Sequence, residues 1–445
     1  MERSTGKIIF MKNYLITRIT SFCAVTAAVI TCCAGGAQGK GREPAGASLT
    51  IERAVRMALV NNPDLKASDA RREAAAGRAG QARLWQNPEL ELSVEDMPAK
   101  SSGWARSKHM AGISQSIPYP GKKRLDNEIG MAGVMAGEAG WRAHQAELAR
   151  DVKIAFYRAL TAEHAAKVAE DLVALAEYSA ETSKKRADAG DSALQEQLRA
   201  EIQMEQAKTA HSEALEKIAE TRRSLALLLG VPSAFNSSLS GVLDDSGSSS
   251  ALNRGPDAWL DSHPAMVAAR AKSRLAGATV RRAEIDHMPD PKVGISAGRD
   301  EAVNENLVEL RLSIPLPFLD KGKSKIRESV AGAREADAEL VATEQRLLAE
   351  WGSVRARFKA AASQVAVHRE RVLPKSEQAL ALVKTGFEQG KFSFIDLLDT
   401  QRMTAEVRLS YQKKLFELNA ARAELESFVD PMSAKQNHSS YNLTY

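Results

Sequence analysis

Leu90, Leu92 and Val94 alternate with Glu91, Ser93 and Glu95, a two-residue period that predicts a strand with one apolar and one wet face. The alternation recurs three times. Ile113, Gln115 and Ile117 lie opposite Ser114 and Ser116; Val293, Ile295 and Ala297 alternate with Gly294, Ser296 and Gly298; Val308, Leu310, Leu312 and Ile314 oppose Glu309, Arg311 and Ser313. The pattern predicts two pairs of strands of about ten residues each, the length a tilted strand needs to cross a bilayer. Polar segments 96–108 and 299–306 are predicted to join each pair as loops in water.

After Gly121 and Gly322 the period changes, and helix is predicted for about 65 residues, on the order of 100 Å at a rise of ~1.5 Å per residue. In the second stretch Ile326, Val330, Ala333, Leu340, Leu347, Trp351, Val354, Phe358, Ala361 and Val365 form a seam broken by Asp337 and Glu344, the repeat of supercoiled helices. The first carries small residues instead, from Val152 through Ala155, Ala159, Ala162, Ala166, Ala169, Val173 and Ala176 to Ala180, which permit close helix approach. Turns at Gly190 and Gly390 lead to return helices of about 38 residues, ending near Gly230-Val231-Pro232 and Val429-Asp430-Pro431. Two further helical stretches, 49–85 (broken at Asn61-Asn62-Pro63) and 257–286, have about the length each return lacks. Length predicts that 257–286 stacks on the first return and 49–85 on the second.

These landmarks come in duplicate, about 200 residues apart. Asn62-Pro63 returns as His263-Pro264, Asn87-Pro88 as Asp290-Pro291, and Ile117-Pro118 with Gly121-Lys122 as Ile314-Pro315 with Gly322-Lys323. The predicted organisation is a leader at 1–39, a first repeat at 49–230, a Ser, Gly, Asp and Asn-rich linker or girdle at 231–256, a second repeat at 257–430 and a polar, disordered tail at 431–445. Lys7, Lys12 and Arg18 followed by an uncharged run from Ile19 to Ala37 read as an export signal, its apolar part being short for a spanning helix. All three cysteines, Cys23, Cys32 and Cys33, fall in this leader, so the body is no disulfide scaffold. Cleavage near Ala37 or Gly39 and lipid attachment at Cys32 or Cys33 both remain open.

Composition excludes more than it selects. The net charge of +5 is scattered, and no Lys/Arg block interleaved with aromatics speaks for nucleic acid. Gly322-Lys323-Ser324 lacks the first glycine of a phosphate-binding loop, where Pro317 stands. The eight histidines show no metal-ligand spacing, and no nucleophile, base and acid constellation emerges, so neither an enzyme nor a cofactor is expected.

Four spanning strands cannot close in lipid, because an open edge leaves backbone groups without partners. Three chains would supply about twelve, so the predicted class is mainly α with membrane β: duplicated half-units forming a trimeric barrel of about 12 strands, continued by a long α-helical coiled-coil barrel. A periplasmic adaptor or coiled-coil scaffold is the alternative, though it would lack the second strand pair. Ser114-Gln115-Ser116-Ile117-Pro118 leading to Gly121-Lys122-Lys123-Arg124, together with the run from Phe387 through Gly390 to Asp399, resembles the TolC family of outer-membrane efflux proteins over nearly all of 49–430. The wording resembles the branch serving heavy-metal and multidrug exporters of the resistance-nodulation-division type. The resemblance implies a homotrimer in outer-membrane lipid reaching into the periplasm, a periplasmic adaptor and an inner-membrane pump as partners.

It also implies a constriction at Asp396 and Asp399, where the family places the acids of its periplasmic mouth, and a helix latch at Glu196, although Phe392 stands where a basic partner is usual. Residues i and i+3 share a helix face, so three chains would concentrate six carboxylates in one throat. As helix-start acids the two aspartates also suit the macrodipole without any gate. Gly190 with Asp191 and Ser192, and Gly390 with Lys391 and Ser393, would form tips that meet an adaptor, or simply turns that need glycine.

Overall fold

The computed structural model describes residues 48–97, 103–190 and 193–429. The leader, the tail, Cys32 and Cys33, and the tip residues Asp191 and Ser192 lie outside the described residues.

Each half begins with the same device. Helix α1 (Ile51–Asn61) starts at Thr50, whose Oγ1 accepts a hydrogen bond from Arg53 N at 3.4 Å, and gives way to α2 (Pro63–Arg83) at Asn62. Asn62 Oδ1 accepts from Leu65 N at 3.0 Å while Pro63 occupies the first helical position, where a missing N–H costs nothing. In the second half His263 Nδ1 accepts from Ala265 N at 3.2 Å and Pro264 opens α5 (Pro264–Glu284). The helix expected over 257–286 therefore begins only at Pro264; before it Pro256–Ala258 and Leu260–Ser262 are single 3-10 turns.

Between these helices and the long rods run β1 (Glu89–Glu95) and β2 (Lys108–Ser116), then β3 (Lys292–Asp300) and β4 (Glu305–Ser313). They form one antiparallel sheet in the order β1-β2-β3-β4. The strands of the second pair run further than expected: the predicted loop at 299–306 shrinks to a turn at 301–304, with Asn304 at φ 60°. Asn tolerates that left-handed geometry because its short side chain bonds locally.

Helix α3 (Lys122–Asp188) runs unbroken for 67 residues, and the small-residue seam is buried at Val152, Ala159, Ala162, Ala166, Ala169, Ala176 and Ala180. Its counterpart is less regular. Helix α6 (Lys323–Val367) passes through a π turn at His368–Val372 into α7 (Leu373–Glu388). Pro374, the second residue of α7, has no N–H and its ring would strike the carbonyl four residues back, and the wider π turn accommodates it. The returns are α4 (Leu194–Leu229) and α8 (Phe394–Val429), 36 residues each.

The predicted stacking is reversed. Asn62 Nδ2 donates to Leu228 O at 2.9 Å, so the 51–83 helices meet the end of the first return, α4. Trp259 and His263 lie 5.0 and 5.8 Å from the Phe428 ring, so α5 meets the end of the second return, α8. Each half closes on itself. Length could not distinguish the pairings, because both returns have 36 residues and α2 and α5 both have 21.

The main apolar core sits at these junctions, where Phe156, Phe358, Leu229, Leu418, Leu425 and Trp259 are fully buried. The 231–256 segment is strapped to it. Asn419 Oδ1 accepts from Asp244 N at 3.1 Å and its Nδ2 donates to Asp244 O at 3.0 Å, while Arg422 pairs with the Asp244 carboxylate and Arg369 with Asp245 at 3.2 Å. Among the described residues no helix is long and apolar enough to cross a membrane.

Candidate functional site

The sheet divides its residues by chemistry. Register aligns Leu90 with Ile113, Ile113 with Ile295 and Ile295 with Leu310, a row across one face whose members are 72, 56, 56 and 78% exposed. Four large aliphatic side chains in line, all open, form a surface that water does not tolerate at this extent. On the other face Lys292 Nζ lies 2.7 Å from Glu89 and 3.0 Å from Glu91, Arg311 3.3 Å from Glu91, and Lys108 3.8 Å from Glu95. One face thus suits hydrocarbon and the other suits water, while the outer edges of β1 and β4 keep unpaired backbone groups.

At the far end of the rods each half turns at a glycine. In the second, α7 ends in a Schellman turn: Lys391 N donates to Gly386 O at 2.7 Å and Gly390 N to Phe387 O at 3.0 Å, with Gly390 at φ 71°. Gly190 ends α3 at φ 81°. Both glycines are thereby required by backbone geometry, which a side chain would strain. Phe387 and Phe394, on either side of the turn, pack at 6.1 Å between ring centres in a small second core with Leu397, Ala180 and Ala200. The Arg186 guanidinium covers Phe387 at 5.0 Å, and Tyr178 Oη donates to Glu388 at 2.7 Å, tying α3 to α7. Sequence reading missed this aromatic clasp. Its only signal was a phenylalanine three residues before the glycine and another four after it.

Asp396 and Asp399 are both exposed in the first turns of α8, on one face. Asp396 belongs to a capping box: its Oδ2 accepts from Ser393 N at 2.9 Å and from Ser393 Oγ at 2.7 Å, and Ser393 Oγ accepts from Asp396 N at 3.2 Å. The Ser393 hydroxyl and then its N–H hold the Asp396 carboxyl below the usual range. Asp399 has no such tie among the described residues. Ser393, expected as a docking residue, is placed by the structure as the helix cap. Lys391 is exposed, and Phe392 lies across Gly386, where a Cβ would collide with its ring. Glu196 is half-buried in the first turn of α4, which starts at Ala193 without a side-chain cap, and its carboxylate has no partner among the described residues.

The family model for "Outer membrane efflux protein" matches residues 54–231 and again residues 255–429. The chain belongs to that family. As an outer membrane efflux protein it serves as a duct in the outer membrane and extends across the periplasm, which sets aside the adaptor or scaffold reading. It is 28% identical over 383 residues to the cobalt-zinc-cadmium resistance protein CzcC of Cupriavidus metallidurans, covering 83% of this chain and 87% of that protein. The nickel-cobalt-cadmium resistance protein NccC of Alcaligenes xylosoxydans xylosoxydans is 26% identical over 296 residues, 66% of this chain and 65% of its own length. Crystal structures of CusC, a transmembrane channel, share the fold with a TM-score of 0.73 at 17% identity, covering 88% of this chain and 95% of CusC.

Proposed function

We propose that three copies close into a barrel of about twelve strands continued by a tunnel of helices, and that this duct carries divalent metal ions outward. The observation that carries the reading is the sheet itself: an apolar face, a charged face and two open edges cannot persist in a membrane unless further copies seal them. The metal cargo rests on the relatives, three of which are named for resistance to cobalt, nickel, zinc or cadmium. The repeats are taken as 49–230 and 257–430, joined by the girdle at 231–256. A duct that selects little needs partners that select, so a periplasmic adaptor is placed at the tips around Gly190 and Gly390, with Lys391 and Ser393 on its side, and an inner-membrane pump of the resistance-nodulation-division type beyond it.

Asp399, with Asp396 and Glu196 nearby in the fold's tip, is assigned to the constriction. Fixed carboxylates at close quarters attract cations and slow multivalent ones. Asp399→Ala removes charge and leaves the capping box intact, so in planar bilayers it should raise single-channel conductance and weaken block by multivalent cations. Asp396→Ala with Asp399→Ala should do more. Conductance and block unchanged in both variants would remove the gate assignment.

A further inference from the structure

Inside each chain a clasp joins the two halves at the base of the sheet, beside the Arg282–Asp126 pair. Ile117 N donates to Pro291 O at 2.8 Å, Tyr119 N to Asp290 Oδ1 at 2.6 Å, and Lys122 Nζ to Met288 O at 2.6 Å, with Asp290 Oδ1 2.9 Å from the same ammonium. The clasp exists because β2 and β3 are antiparallel neighbours, so the segment leaving β2 lies beside the segment entering β3. Lys122 is only 4% exposed there.

The duplication supplies both sides of the clasp a second time. Ile117, Tyr119 and Lys122 have counterparts in Ile314, Leu316 and Lys323, and Met288, Asp290 and Pro291 in Trp85, Asn87 and Pro88. In the second set nothing is joined. Every residue from Arg311 to Lys321 and from Arg83 to Leu90 is exposed, as is Lys323, and among the described residues neither Asn87 nor Lys323 has a side-chain partner. The two sides belong to β4 and β1, at opposite edges of the sheet.

We propose that Ile314, Leu316 and Lys323 of one copy grip Pro88, Asn87 and Trp85 of the next, repeating between subunits the clasp that joins the halves within each chain. The inference rests on the trimeric reading above. Pairing the free edge of β4 with the free edge of β1 in antiparallel sense sets the segment leaving β4 beside the segment entering β1, the relation that β2 and β3 already show. The occupant of each exposed segment is therefore a second copy. The segment after β4 is longer than its counterpart, and its added Phe318 and Leu319, both open, fall where they cover Leu84 and Trp85 of the neighbour. One charge is missing: Asn87 stands where the internal clasp has Asp290, so the joint between subunits is a charge-to-dipole contact rather than an ion pair.

The body contains no cysteine, all three lying in the leader, and each single variant controls for any leader thiol that the mature chain keeps. Asn87→Cys with Leu316→Cys, oxidised in outer membranes, should give a ladder up to covalent trimers on denaturing gels, absent from either single variant. Tyr119→Cys with Asp290→Cys should close within one chain and give no ladder. Light scattering in detergent measures the assembly independently. A trimeric mass with no ladder from this pair or from Trp85→Cys with Phe318→Cys overturns the clasp and leaves the trimer standing, whereas a monomeric mass overturns the trimer itself. Labelling of the Leu316→Cys thiol by a lipid-soluble maleimide in the assembled trimer would place the segment in the membrane and also overturn the clasp. Asn87→Asp should raise the temperature at which the trimer dissociates and Lys323→Ala lower it; no shift in either overturns the proposal.

Discussion

His263 shows how a single position can join two helices and report on pH. It caps α5 through Nδ1, packs against Phe428, and faces a cavity lined by Glu147, Arg150, Arg346 and Glu350. Burial, and then the positive charge of Arg150, depress its pKa from 6.5 to about 4. A depressed value means that the unfolded chain binds the proton more tightly. The contribution of neutral His263 is therefore complete above about pH 6.5 and is lost as the pH falls toward about 4. Because the ring is partly exposed, solvent screening reduces the effect to on the order of 1–2 kcal/mol. His263→Asn keeps a capping side chain and cannot titrate, so its urea midpoint should fall less between pH 7 and pH 4.5 than that of the wild type. Parallel loss in both proteins would disprove the role.

Among the elements, the two long rods are the informative comparison. Uninterrupted α3 and interrupted α6–α7 carry the same periodicity, and the difference traces to Pro374, four residues beyond Glu370 in the π turn. A proline inside a helix costs about 3 kcal/mol when nothing absorbs it, and here the π turn does. Pro374→Ala should let a regular ladder form through His368–Val372 and slow amide hydrogen exchange there by about tenfold or more. Exchange as fast as in the wild type would show that the turn is held by its neighbours, such as the Arg369–Asp245 pair at 3.2 Å, and not by the proline.

For the whole molecule the decisive feature is the two-faced sheet. Leu310 lies in the apolar row and Glu309 on the charged face, one residue apart in sequence and opposite in environment. In the proposed barrel Leu310→Arg puts a charge on the lipid face at the middle of β4, at a cost of ~2–4 kcal/mol per copy near the bilayer midplane, and should deplete the heat-modifiable form from the outer-membrane fraction. Glu309→Gln should leave it there. Equal depletion by both would mean that the apolar face does not meet lipid.

Local order was legible in the residues themselves, because strands and helices impose periods of two and of about 3.6 on their own side chains. The four strands, both rods and the glycine turns could be read that way, and the repeated landmarks, Asn62-Pro63 and His263-Pro264 among them, made the duplication visible, although not that a helix starts at each of those prolines. Asp396 and Asp399 could be placed on one helix face, but not distinguished: Asp396 spends its carboxylate on Ser393 and Asp399 does not, a difference that needs the hydrogen bonds to be seen. Other features depended on residues far apart in the chain. The stacking of each half on its own return, the grip of Asn419 and Arg422 on the girdle, and the aromatic clasp at the tip join positions that no periodicity links. Equal helix lengths left the stacking degenerate, and only side-chain contacts across the junctions, Asn62 to Leu228 and Trp259 to Phe428, decided it.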